Sequence, residues 1–68
     1  MQSFTVADTN ADSVSQELLT AVLAHVKGTV TDWAERDWGL LVFVAVPDTS
    51  VREFKNAVDK LKGFNVEN

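Results

Sequence analysis

The chain lacks cysteine entirely and has a single histidine among its 68 residues. A disulfide framework is therefore excluded, and zinc has no set of Cys and His ligands to bind it. The three glycines stand singly at positions 28, 39 and 63, so no glycine-rich loop can cradle a phosphate. We predict neither a metal ion nor a cofactor for this protein.

No apolar run approaches the length of a membrane span, and residues 1–10 have neither the basic start nor the apolar stretch of a secretory signal. We therefore expect a cytoplasmic protein that does not bind membranes. With 46% hydrophobic and 24% charged residues, the composition is typical of a folded globular chain.

The chain has enough apolar material for one core, because a domain of this size buries only ~60% of the surface that its unfolded form exposes. Residues 1–68 are accordingly predicted to form a single domain. Without disulfides or a metal, its stability must come from packing or from oligomerisation.

The net charge of −4 is distributed unevenly. Residues 1–35 carry five acids and one base, Lys27, whereas residues 36–68 carry five of each sign. Such a surface repels phosphate backbones and favours basic groups, although mild acidity also keeps any small protein soluble. We therefore expect a partner with a basic surface and argue against nucleic acid.

Two helices begin with the same motif. Ser13 to Gln16 and Ser50 to Glu53 both match the capping box, in which the serine hydroxyl accepts a hydrogen bond from the N3 amide. Each motif opens an amphipathic stretch that ends in Lys-Gly, which favours a left-handed glycine after the last turn. Helices are predicted over 13–27 and 50–62. The apolar positions expected to face the core are Val14, Leu18, Leu19, Val22, Leu23 and Val26 in the first helix, and Val51, Phe54, Ala57, Val58 and Leu61 in the second.

Short β-like segments flank both helices, which predicts strands over 3–7, 29–34, 39–46 and 63–67. The chain then consists of two β-α-β units joined by a hairpin over residues 32–39. Placing the first and third strands at the centre makes both crossovers right-handed. The predicted fold is α+β, a ferredoxin-like βαββαβ arrangement with a four-stranded antiparallel sheet and two helices on one face.

The sheet face opposite the helices is expected to be open to solvent. Side chains alternate between the two faces of a strand, which assigns Trp33, Leu41 and Phe43 to this open face, together with Thr5 on the first strand. A contiguous apolar patch on a surface usually marks a site of interaction. The open face is therefore the first candidate surface.

The segment from residue 36 to residue 43 resembles the RNP1 signature of RNA recognition motifs. The first position holds a basic residue, Arg36, and the third holds an aromatic residue, Trp38. Gly39 is at the fourth position, and the aromatic Phe43 is at the last. The segment departs from the signature at Asp37, which replaces a glycine, and at Leu40, which replaces a stacking aromatic. The resemblance implies a degenerate binder of single-stranded RNA as one alternative.

Two other patterns are assigned structural roles. Asp8, Asn10 and Asp12 follow the D-x-N-x-D opening of a calcium loop, but the later glycine and glutamate positions hold Ser13 and Leu19. These acids are expected to turn the chain and to place negative charge at a helix start. The single histidine, His25, has no nucleophile or acid assigned to it, so we predict that the protein is not an enzyme.

Two tryptophans near the hairpin support the functional hypothesis, because tryptophan is enriched at the hot spots of protein interfaces. The predicted partner-binding residues are the anchors Trp33 and Trp38, the open-face residues Leu41 and Phe43, and a polar rim of Asp32, Glu35, Arg36 and Asp37. We expect a small non-enzymatic regulatory or inhibitory protein, of the type that phages direct against host proteins. The spare surface also predicts a homodimer.

A further alternative is a small-ligand sensor domain that forms side-by-side dimers and holds an anion at the helix starts near Ser13 and Ser50. A variant of the inhibitor hypothesis lets the acids of the first half imitate the phosphates of a nucleic acid.

Overall fold

The computed structural model describes residues 1–67, and Asn68, the last residue of the predicted single domain, lies outside the described part. The described residues form four strands and two helices in the order β-α-β-β-α-β. They are β1 (Gln2–Asp8), α1 (Ser13–Val26), β2 (Thr29–Arg36), β3 (Gly39–Val46), α2 (Val51–Asp59) and β4 (Phe64–Val66), with a short 3-10 turn at Asp48–Ser50 before α2. Each predicted element is present, with the largest boundary changes in β2, α2 and β4.

The four strands form one antiparallel sheet in the order β2-β3-β1-β4. Strand β3 pairs with β1 from Leu40 to Val46 and with β2 on its other side. Strand β4 pairs with β1 through three residues only. The prediction that the first and third strands are central is confirmed, and the protein is of the α+β class.

Burial along β3 alternates strictly, as expected for a central strand with one covered face. Every second residue from Leu40 to Val46 is buried, and the residues between them are half-buried. A single hydrophobic cluster joins this covered face to both helices, so the two helices lie on the same side of the sheet. Its members are Phe4, Val6, Leu19, Leu23, Val26, Leu40, Val42, Val44, Val46, Phe54 and Val58.

Helix α1 is capped one residue earlier than predicted. Asp12, not Ser13, is the N-cap, and it forms a reciprocal capping box with Ser15. The Ser15 hydroxyl is buried and donates to the buried carboxylate of Asp8 at 2.8 Å. The first turn is therefore anchored through a polar residue, and the predicted apolar stripe is wrong at Val14 and Leu18, which are exposed at 62% and 44%.

Neither helix ends as predicted, with a left-handed glycine directly after the last turn. Lys27 itself takes the left-handed conformation at φ 60°, whereas Gly28 is needed because a Cβ there would lie 2.9 Å from Leu23 and 3.0 Å from the carbonyl of Ala45. Helix α2 ends at Asp59, and Gly63 takes a positive φ only after a further turn. The predicted side-chain cap at Ser50 is not formed, because the 3-10 turn before α2 leaves Ser50 at ψ 3° and not in the extended conformation of an N-cap.

Candidate interaction surface on the β2–β3 hairpin

The two strands that bear the predicted partner-binding residues are joined by a tight turn. Strand β2 continues to Arg36, two residues beyond the prediction, and only Asp37 and Trp38 separate it from Gly39. Gly39 has φ +153°, and a Cβ there would lie 2.3 Å from the backbone oxygen of Asp8. The hairpin tip is thus packed against the end of β1, which fixes the position of Trp38.

A β-bulge interrupts β2 at Thr31. Val30 lies opposite Val44, but the next paired residue is Asp32, opposite Phe43. The Thr31 hydroxyl donates to the carbonyl of Phe43 at 3.1 Å. One residue has been inserted into the strand, so the alternation of side chains is reversed beyond it.

The bulge corrects the predicted position of Trp33. This residue lies opposite Val42, whose side chain is buried against the helices. Residues directly opposite each other in an antiparallel pair point to the same face, so Trp33 projects on the helix side of the edge strand. The prediction that it shares the open face with Leu41 and Phe43 is wrong, because simple alternation takes no account of the inserted Thr31.

The open face is less aromatic than the sequence predicted. Phe43 lies between Thr5 on β1 and Asp32 on β2, and Leu41 lies between Ala7 and Ala34. Leu41 and Phe43 are both half-buried. With Trp33 on the other face and Trp38 in the turn, Phe43 is the only aromatic side chain that this part of the sheet presents for base stacking.

Both tryptophans of the hairpin are nevertheless accessible. Trp33 is 62% exposed and Trp38 is 48% exposed. Trp38 lines a shallow depression between the turn and the β1–α1 loop, together with Thr9, Asn10 and Gln16. Each tryptophan therefore has apolar surface available for contact, Trp33 on β2 and Trp38 in the turn.

The charged residues of the hairpin are exposed and carry an acidic excess. Asp32, Glu35 and Asp37 outnumber Arg36, and all four side chains are exposed. Neither of the two ion pairs described within residues 1–67 involves them. Their hydrogen bonds within residues 1–67 are local: the Trp33 amide donates to the Asp32 carboxylate, and Arg36 donates to the carbonyl of Glu35. Their charges remain available to a partner.

Strand β2 also offers backbone groups, since it lies at one edge of the sheet. Arg36 and Gly39 lie opposite each other across a two-residue turn, the position at which a hairpin of this type has a hydrogen-bonded pair. Because pairing alternates along an antiparallel ladder, Ala34 also directs its amide and carbonyl toward β3, whereas Trp33 and Glu35 direct theirs away from the sheet. The outer edge thus carries donors and acceptors beside an exposed tryptophan, two of which contact neighbouring side chains: the Trp33 amide donates to Asp32 and the Glu35 carbonyl accepts from Arg36.

The other polar clusters have structural roles. The Asp8 carboxylate is buried and accepts hydrogen bonds from the amides of Asn10 and Ala11 and from the Ser15 hydroxyl. His25 contacts Glu53 of α2 at 2.7 Å, with both side chains mostly exposed. Within residues 1–67, no group of three or more His, Cys, Asp or Glu side chains could hold a metal ion.

The predicted partner-binding residues all lie on β2, β3 or their turn, and the structure divides them among three places. Four lie on the open face, two on the helix side and two in the turn: Asp32, Arg36, Leu41 and Phe43; Trp33 and Glu35; Asp37 and Trp38. The sequence analysis missed Thr31, because nothing in its local pattern marks a bulge. It also missed Ser15, whose spacing from Asp12 matches the start of a capping box.

In the described part of the chain, neither helix is long and apolar enough to cross a membrane. Comparisons with models of protein families, with curated proteins and with solved structures found no match for this chain. The assignment of function therefore depends on the geometry of the hairpin.

Proposed function

We propose that this protein is a non-enzymatic binding module, regulatory or inhibitory in role, that contacts another protein through its β2–β3 hairpin. We define the hairpin surface as Asp32, Trp33, Glu35, Arg36, Asp37 and Trp38, with the neighbouring open-face residues Leu41 and Phe43. We also propose that its fold is ferredoxin-like, which the two successive β-α-β units and the central position of β1 and β3 support.

The observation that supports this function is the exposure of both tryptophans on one hairpin. Leaving Trp33 and Trp38 about half-accessible keeps a large apolar area in water, although the same chain buries Phe4 and Phe54 almost completely. Tryptophans contribute strongly to binding when a partner removes them from solvent. An exposed pair on a small domain is therefore best explained by contact with another molecule.

The charge of the hairpin favours a basic partner. Asp37 adjoins Trp38 in the turn, and Glu35 and Asp37 line the same depression as Trp38. A Lys or Arg side chain of the partner could place its charge beside these carboxylates and its aliphatic stem or guanidinium against the indole ring. Acidic groups around an apolar anchor would also speed the approach of a basic surface.

Selection from a phage-displayed library of random linear peptides tests this proposal. We expect enrichment of peptides that contain Lys or Arg next to apolar residues. Trp38→Ala should weaken their binding by about tenfold or more, and Asp37→Lys should weaken it and reduce its dependence on salt. Titration of each purified peptide against the protein gives these dissociation constants.

The matched control is Leu18→Ala, because Leu18 is also an exposed apolar residue but lies on α1, away from the hairpin. It should leave peptide binding unchanged. The proposal fails if selection yields no enriched peptides, or if the enriched peptides bind the Trp38→Ala variant as tightly as the unchanged protein.

A further inference from the structure

We propose that the outer edge of β2 pairs with β2 of a second copy of this chain, antiparallel and centred on Ala34. This inference rests on the proposed function in one respect, since residues 32–36 belong to the proposed hairpin surface. It assigns that part of the surface to a second copy of the chain. The dimer would join two four-stranded sheets into one of eight strands.

The backbone restricts the possible registers. Residues that lie directly opposite each other in an antiparallel ladder must both direct their amides and carbonyls toward the partner, or both away from it. In β2, Trp33 and Glu35 direct theirs outward, and Ala34 directs its own toward β3. In the single chain the Trp33 amide donates to the Asp32 carboxylate and the Glu35 carbonyl accepts from Arg36, so strand pairing exchanges these local bonds for bonds between the two copies. A symmetric pair must therefore be centred on a residue, never between two residues, and the bulge at Thr31 confines it to Asp32–Arg36.

Charge selects one register from this set. Centring on Ala34 places Asp32 opposite Arg36 of the partner protomer, twice across the dyad. Centring on Asp32, Glu35 or Arg36 puts each of these charges opposite its own copy, which is unfavourable. Centring on Trp33 brings no opposite charges together. Only the Ala34 register has opposite charges face to face and no directly opposed like charges.

The side chains on both faces also fit this register. On the open face the dyad passes between two small Ala34 residues, with an Asp32–Arg36 pair on each side. On the helix side, Trp33 lies opposite Glu35 of the partner protomer and diagonally beside its Trp33, a spacing that aromatic side chains can bridge. The register therefore covers the tryptophan that is 62% exposed in the single chain.

The amount of surface involved indicates a weak dimer. Five residues per strand, Asp32–Arg36, make a contact smaller than the ~1,600 Å² of a standard stable interface, so we expect a dissociation constant in the micromolar range. The tip residues Asp37 and Trp38 lie outside this ladder. They remain available to a different protein, and the dimer would present two copies of them.

Site-specific oxidation tests the register directly, because the chain contains no cysteine. In the Ala34→Cys variant the two thiols would occupy a directly opposed, non-hydrogen-bonded pair with Cα atoms about 4.5 Å apart, within the range of a disulfide. Oxidised glutathione should convert it to a covalent dimer about tenfold faster than the control variant Ala24→Cys, whose site lies on the exposed side of α1. Equal rates would overturn the proposal.

Charge exchange gives a second, independent test by sedimentation velocity over a concentration series. Asp32→Lys and Arg36→Glu should each raise the dissociation constant of the dimer by about tenfold, because each creates two like-charge pairs. The double variant should return to within about threefold of the unchanged protein, since the pairs are restored with reversed signs. A double variant as weak as the single ones, or a protein that stays monomeric, overturns the register.

The two proposals can fail separately. If basic peptides bind at Trp38 while the protein is monomeric, the dimer is wrong and the binding function stands. If the Ala34 dimer forms and no peptide is selected, the dimer stands and the binding of a different protein is wrong.

Discussion

Replacement of the buried Asp8 should cost more stability than any other single change of a charged residue. Its carboxylate is 1% exposed and holds together the loop between β1 and α1. One oxygen accepts from the amides of Asn10 and Ala11 at 3.1 and 3.0 Å, and the other accepts from the Ser15 hydroxyl at 2.8 Å. Asp8→Ala removes all three interactions and leaves a small cavity.

The magnitude follows from these contacts. A hydrogen bond to a charged group contributes about 1.5–3 kcal/mol, but the two amides are only partly buried and water can replace part of their loss. We therefore expect Asp8→Ala to lower the free energy of unfolding by about 3–4 kcal/mol. The whole free energy of unfolding of a chain of this size is about 3–10 kcal/mol, so the variant should be partly or largely unfolded at room temperature.

Equilibrium urea denaturation, followed by tryptophan fluorescence and circular dichroism, measures this loss. The control is Asp48→Ala, because Asp48 is an exposed acid whose one ion pair, with the chain amine, is also exposed. That variant should change the free energy of unfolding by less than about 0.5 kcal/mol. If the two variants unfold at the same urea concentration, the role assigned to the Asp8 carboxylate is refuted.

Two backbone positions give further predictions, both measured as shifts of the urea midpoint. Gly39→Ala should destabilise the protein by about 2–4 kcal/mol, because residue 39 has φ +153° and the new Cβ would lie 2.3 Å from the backbone oxygen of Asp8. An unchanged urea midpoint would contradict the packing of the hairpin tip against β1. Lys27→Gly should stabilise it by about 0.5–1 kcal/mol, because Lys27 adopts φ 60°, which costs a residue with a Cβ more than it costs glycine. A loss of stability there would contradict this assignment.

The elements of the fold were predictable because local chemistry and burial agree in them. The continuous apolar run of β3 and the amphipathic pattern of α2 depend on residues close together in the chain. Both elements are present, although α2 ends at Asp59 and leaves the predicted core residue Leu61 outside the helix. The N-cap of α1 was predicted one residue late, because Asp12 and Ser13 are both good caps. What decides between them is the distant contact of Ser15 with Asp8, and no local pattern contains it.

The sequence predicted which residues belong to the candidate site better than it predicted the sheet faces on which they lie. Trp33, Trp38, Leu41 and Phe43 were placed on one hairpin region, and each lies on β2, β3 or their turn. Their faces depend on register, and the insertion at Thr31 reverses the face of every β2 residue from Asp32 onward relative to simple alternation. A bulge depends on how two strands accommodate each other, so the residues of a single strand do not reveal it.

The unequal lengths of the two edge strands have a consequence for aggregation. An exposed edge is a template on which further strands can add, and growth into a fibre needs such a template at both ends of the sheet. Here one edge has eight residues with a bulge, whereas the other, β4, has three. Strand addition can therefore begin at β2 but finds only a short support at β4, which favours small closed assemblies over continuous polymers.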